Sequence, residues 1–148
     1  MKLPEKMDPA KPAFDLFSSP FYLIAHVDFK YHEDLDKAIA KYGLDRATYR
    51  LLTVLVQTSP INIKDLAARA LIKRSTVSRS LLRMAKEGLV ETKLSPDDQR
   101  NTDVYLTNTG KARAEKVMQL GSRQLARATD GLSKEQLFDL ADQIGGSG

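Results

Sequence analysis

With 148 residues, of which 23 are Lys or Arg and 19 are Asp or Glu, the chain carries a formal charge of +4 and has the length of one domain with an appended dimerisation part. Its 42% apolar and 28% charged residues lie near the averages of soluble globular proteins, which excludes a collagen-like repeat and a wholly disordered chain. The absence of cysteine excludes disulfide scaffolds, Cys-ligated zinc, iron–sulfur clusters and thiol nucleophiles.

The longest unbroken apolar run, Phe21 to Ala25, is far short of the roughly 20 residues of a membrane span. Met1 to Pro12 lacks the apolar stretch of a secretory signal. A cytoplasmic protein without a membrane partner is expected. The positive charge is concentrated in the middle: residues 62–113 hold eleven basic and six acidic side chains, against eight and eight in residues 1–61. Lys73, Arg74, Arg79, Arg83 and Lys86 follow one another with no acid among them. That distribution belongs to a nucleic-acid contact surface or to a merely solvated face.

From Phe21 to Tyr42 there is neither Gly nor Pro, and the preceding Ser18, Ser19 and Pro20 supply capping candidates and a first-turn proline, predicting one long helix. Gly43 ends it. Asp45 caps a second helix with Tyr49, Leu52, Leu55 and Val56 at helical spacing, stopped by Ser59 and Pro60. Asn62 precedes a short third helix, Ile63 to Ala70, whose Ile63, Leu66, Ala67 and Ala70 share a face. Ser75 opens a fourth, with Val77, Leu81, Met84 and Ala85 as its packing stripe and Thr76, Arg79, Arg83 and Lys86 on the other side. Gly88 stops it. The period then changes from 3.6 to 2: Val90, Thr92 and Leu94, then Thr102, Val104 and Leu106, predict two half-buried strands that Ser95 to Asn101 joins as a hairpin. Thr109 to about Ala128 predicts another long helix, with Ala112, Val117, Leu120 and Leu125 as core candidates. Ser133 with Gln136 is a capping-box pattern leading into a last helix with Leu137, Leu140, Ala141 and Ile144 on its apolar face. Gly145 to Gly148 reads as a flexible tail.

Two short helices followed by a hairpin, the second helix basic on its outer face, describe a winged helix-turn-helix within a mainly α chain. A helix fits the major groove, where its side chains meet base edges, while a hairpin beside it can lower a cation into the minor groove. Leu66-Ala67, Ser75 to Arg79, Gly88-Leu89-Val90, Asp98 with Arg100, and Leu106-Thr107 with Gly110 together resemble the MarR family of bacterial transcriptional regulators, over roughly residues 44–113. The resemblance implies an obligate homodimer, usually a repressor released by a small molecule. It divides the chain into an N-terminal dimerisation helix at 14–44, a DNA-binding lobe at 45–108 and C-terminal dimerisation helices at 109–148. The sequence departs from the family pattern at Gln99 and Thr92, where arginines are common, at Thr48, where glutamine is frequent, and at Ser80, where an apolar residue is usual.

Arg79 and Arg83 lie one turn apart on the groove-facing side, suited to bidentate contact with guanine or to phosphate contacts alone; Arg79 is the leading base-contact candidate. Ser75, Thr76 and Ser78, at the amino end of that helix, suit phosphate oxygens or cap the helix. The resemblance implies that Asp98 orients Arg100 for entry into the minor groove, with a solvated surface pair as the alternative. Lys73 and Lys93 are candidate backbone contacts. Tyr22, His26 and Phe29 on the first helix, with Arg46, Tyr49 and Arg50 on the second, are candidates either to enclose a small aromatic acid or thioester effector or to form core and dimer interface. No Ser, His and acid arrangement and no Gly-rich phosphate loop is present, and His26 and His32 fall on different helix faces, so no enzyme, metal or other cofactor is expected. A winged helix that binds a protein instead of DNA is the alternative from another class. It does not require Arg79, Arg83 and Arg100 on one surface.

Overall fold

The computed structural model describes residues 2–98, 100–133, 135 and 136. They fall into two compact units, residues 1–33 with 123–148 and residues 34–122. The first holds 3-10 turns at Glu5–Met7 and Leu16–Ser18 and most of helix α1, Pro20–Ala40. Near its end the Ser133 N–H donates to Gln136 Oε1 at 2.8 Å and the Gln136 N–H to Ser133 Oγ at 3.1 Å. That is the reciprocal cap the sequence predicts. Leu137, Leu140, Ala141, Ile144 and the glycine-rich tail lie outside the described residues.

The second unit takes the end of α1 and then runs α2 (Arg46–Thr58), β1 (Ile61–Asn62), α3 (Ile63–Ala70), α4 (Arg74–Lys86), β2 (Val90–Leu94), β3 (Thr102–Leu106) and most of α5 (Asn108–Ala128). At the start of α2 the Asp45 carboxylate accepts the Thr48 N–H at 2.9 Å while the Thr48 hydroxyl accepts the Asp45 N–H at 2.8 Å. Thr48 is therefore a buried capping residue. Asn62 caps α3 by accepting the Asp65 N–H at 2.8 Å. Leu71 closes that helix in the left-handed region, with φ 57°.

The core of this unit joins Leu51, Leu52 and Leu55 of α2, Leu66 and Ala70 of α3, Val77, Leu81 and Met84 of α4, and Leu89, Val90 and Val104 of the sheet side. Burying one such aliphatic side chain stabilises by about 1.5–3 kcal/mol. The stripes differ from the expected ones in detail: Leu51 is buried where Val56 is exposed, and Ala85 is exposed where Ser80 is buried. A small Ser80 thus fits the side of α4 that meets the core. In α5 the inward positions are Ala114, Val117, Gly121 and Ala128, while Ala112 and Leu125 are exposed. Of the expected core positions Val117 is buried and Leu120 half-buried.

The sheet has three strands in the order β1-β3-β2, all antiparallel. β1 pairs Ile61 with Val104 and Asn62 with Asp103, an addition to the two expected strands. The expected half-burial fails in β2, where Val90 alone is buried and Leu94 is 66% exposed: the hairpin extends past the helices that would cover it. Gly88, at φ +75°, turns the chain from α4 into β2 in a conformation that costs glycine nothing. A Cβ on Gly110 would collide with the Leu89 carbonyl oxygen. The Thr107 hydroxyl donates to Gly88 O at 2.6 Å and accepts the Gly110 N–H at 2.9 Å. The Gly-Leu-Val and Leu-Thr-x-x-Gly elements are thus two halves of one joint.

Candidate nucleic-acid interface

α4 begins at Arg74, one residue before the expected Ser75, because Lys73 is the extended N-cap residue (φ −59°, ψ 139°) and offers no side-chain cap. Ser75, Thr76 and Ser78 are therefore not its caps, and they make no side-chain hydrogen bond among the described residues. The first-turn N–H groups have no side-chain cap, and such free donors suit an anion. At about 100° per residue, the positions opposite the buried Val77, Leu81 and Met84 are Ser75, Arg79, Leu82 and Lys86, all exposed. Arg79, Lys73 and Lys86 have no ion-pair partner among the described residues.

Arg83 leans to the flank of that stripe. Its Nη2 donates to Asp45 Oδ2 at 2.8 Å, with both side chains more than half exposed. Partial burial pushes the Asp45 carboxyl up, but the hydrogen bonds from Arg83 and Thr48 and the charge of Arg83 outweigh it and leave the group below its ordinary value. The same pair raises the Arg83 guanidinium. Asp45 thus caps α2 and tethers α4 at once. The sequence marks the cap but not the tether, whose partners lie 38 residues apart. The two share a cleft of about 410 Å³ with Thr76 and Arg79.

In the wing, Ser95 N–H donates to Asn101 O at 2.8 Å and Asn101 N–H to Asp98 O at 2.9 Å. The Asp98 carboxylate accepts the Arg100 N–H at 3.0 Å, while the guanidinium Nε stands 4.0 Å away. Asp98 therefore shapes the loop and holds Arg100 by its backbone, leaving a side chain 95% exposed. Lys93 sits 3.9 Å from Glu91 and over the Tyr105 ring at 5.1 Å.

Tyr22 and His26 lie with ring centroids 6.3 Å apart, and Tyr22 packs edge-on against Phe17. Phe29 is exposed. Arg46 is engaged, its Nε and Nη2 reaching the Asp36 carboxylate at 2.9–3.0 Å. Arg50 makes one long bond, Nη1 to Ala70 O at 3.4 Å, and Tyr49 is half-buried. None of the six lines the apolar cavity of about 470 Å³ formed by Leu23, Ile24, Val27, Tyr31, Leu125 and Leu132. Among the described residues no group of His, Asp and Glu could hold a metal ion, and no helix is long and apolar enough to cross a membrane.

A helix-turn-helix whose second helix carries a cationic outer stripe, followed by a hairpin with an arginine at its tip, defines a winged-helix DNA-binding protein. A MarR family model matches residues 42–101. The HTH-type transcriptional repressor IacR of Pseudomonas putida is 31% identical over 130 residues, covering 88% of this chain and 78% of that protein. The crystal structure of a MarR family transcriptional regulator from Silicibacter pomeroyi superposes with a TM-score of 0.76 at 26% identity, over 88% of this chain and 92% of that one. A mutant MarR from E. coli complexed with operator DNA shares the fold, with a TM-score of 0.71 at 24% identity over 84% of this chain and 90% of that one. The chain belongs to the MarR family and is a transcriptional regulator.

Proposed function

We propose that the protein acts in the cytoplasm as a homodimeric repressor that binds a pseudo-palindromic operator and is released by a small effector. The observation that carries the reading is Arg79, without an ion-pair partner among the described residues on the outer face of α4, with Arg100 presented on the wing of the same lobe. Arg79 reads a guanine edge. Lys73, Ser75, Thr76, Ser78, Arg83 and Lys93 hold phosphates, and Arg100 enters a narrow minor groove. The repressor sense is supported by IacR, itself a repressor.

Dimerisation is supported by the apolar surface of the unit containing residues 1–33, where Phe21 is 83% and Phe29 67% exposed and Phe17 and Leu16 are exposed as well. Large apolar side chains exposed in this number on one unit suit a protein cover. For the effector we propose a small aromatic acid or its thioester, with Tyr49 and Arg50 of the 34–122 unit as its contacts. Arg50 is its anion partner, since Arg46 is already committed to Asp36. Release by a hundredfold requires about 2.7 kcal/mol of differential affinity between the free and DNA-bound forms.

The reading is tested by selecting duplexes from a randomised library and titrating the protein against the winner at several salt concentrations. A steep loss of affinity with salt, two chains per duplex and release by members of a panel of phenolic acids and thioesters are expected. Salt-independent binding, or no enrichment of any duplex, contradicts the DNA reading and favours a protein-binding winged helix. Failure of the whole panel, or an Arg50→Ala variant that responds like wild type, removes the effector assignment alone.

A further inference from the structure

The outer stripe of α4 contains one residue that no account by charge explains. Between Arg79 and Lys86, opposite the buried Val77, Leu81 and Met84, stands Leu82, 67% exposed. A scattered surface leucine needs no explanation, but this one stands between Arg79 and Lys86 along the helix, at the edge of a face otherwise made of Ser75, Arg79 and Lys86. Three residues beyond Arg79, it is displaced about 4.5 Å along the helix axis, close to the 3.4 Å rise of one base step. Ile63, Ser78, Leu81, Ala85, Thr92 and Thr102 line a small notch beside it. A group seated against Leu82 therefore meets aliphatic groups and neutral hydroxyls rather than cations.

Resting on the DNA-reading role of α4, we propose that Leu82 selects thymine through its C5-methyl group, at the base pair next to the one read by Arg79. Thymine is the base that presents a methyl in the major groove. Leucine can neither donate nor accept a hydrogen bond. An amino group or carbonyl oxygen of another base pressed against it loses its water without replacement, which is costly. Arg79 and Leu82 thus form a two-position reading head, one side chain polar and one apolar.

The test uses the duplex selected by the wild-type protein. Replacing single thymines by deoxyuridine removes the methyl and leaves the pairing edge intact. At one position per half-site, adjacent to the pair whose preference Arg79→Ala relaxes, uracil should weaken binding about fourfold, the equivalent of roughly 0.8 kcal/mol for one buried methyl-sized group. Leu82→Ala keeps a good helix former at an exposed site and should bind thymine and uracil duplexes equally, while Arg79→Ala still distinguishes them. Equal wild-type affinity for every uracil duplex overturns the proposal, as does a Leu82→Ala variant that keeps the preference. Both results leave sequence-specific binding by α4 intact. If the library yields no preferred duplex, the DNA-reading role falls and Leu82 falls with it.

Discussion

Arg79 and Arg83 are the same residue type one turn apart, yet they stand in different electrostatic states. Arg83 is held by Asp45 at 2.8 Å, and Arg79 is unpaired among the described residues. Arg79→Ala should therefore cost about 1–3 kcal/mol on the preferred duplex and relax one base position per half-site, whereas Lys73→Ala should weaken all duplexes alike and flatten the salt slope by about one unit. Competition titrations against random DNA distinguish the two patterns. Equal losses on both DNAs for Arg79→Ala would move that side chain to the phosphates. Asp45→Asn keeps a good cap while removing the charge that restrains Arg83. It should tighten binding to every duplex and steepen the salt dependence. Its effect on folding has a definite sign. The native Asp45 carboxyl lies below its ordinary value, so its contribution is present above the unfolded pKa of about 3.9 and is lost as pH falls through the native one. Chemical denaturation of Asp45→Asn should accordingly show a shallower decline below about pH 4 than wild type. Identical acid limbs would show that the pair contributes nothing to stability.

The joint between β2 and α5 explains why two short sequence elements far apart in the chain occur together. Gly110 lies under the Leu89 carbonyl, and Thr107 bonds to both Gly88 and Gly110. Gly110→Ala forces a backbone shift and should destabilise by about 1–3 kcal/mol, read as a lower denaturation midpoint with an unchanged slope. A midpoint equal to wild type would mean the joint yields freely. In the wing, Arg100→Ala should weaken binding most on duplexes with A·T-rich flanks, where a narrow minor groove attracts cations; a loss independent of the flanks would make Arg100 a phosphate contact. The helices and the hairpin are legible in the sequence because capping residues, glycines and the change of period act locally. β1 is not, since two residues carry no periodicity and their pairing with Val104 and Asp103 spans some forty positions. Alternation in β2 identifies two faces but says nothing of whether a layer covers either. The Asp45 tether is hidden for the same reason: each partner has a complete local explanation, one as a cap and the other as a solvated cation.

The whole molecule separates its chemistry by region. The cationic stripe and wing belong to the 34–122 unit, and the large exposed aromatics to the unit containing residues 1–33. The first grips a polyanion and the second invites another chain, which together suit a symmetric dimer presenting two reading helices. In the proposed dimer, two such helices would enter successive major grooves on one side of the duplex, with half-sites about 34 Å, one helical turn, apart. Inserting five base pairs between them turns one half-site to the opposite face of the DNA while preserving every base contact within each half. Binding measured on this duplex beside its parent tests the proposed dimeric reading most directly. The high-affinity complex should be lost and only weak, salt-sensitive binding remain; undiminished affinity would contradict a dimer reading two half-sites.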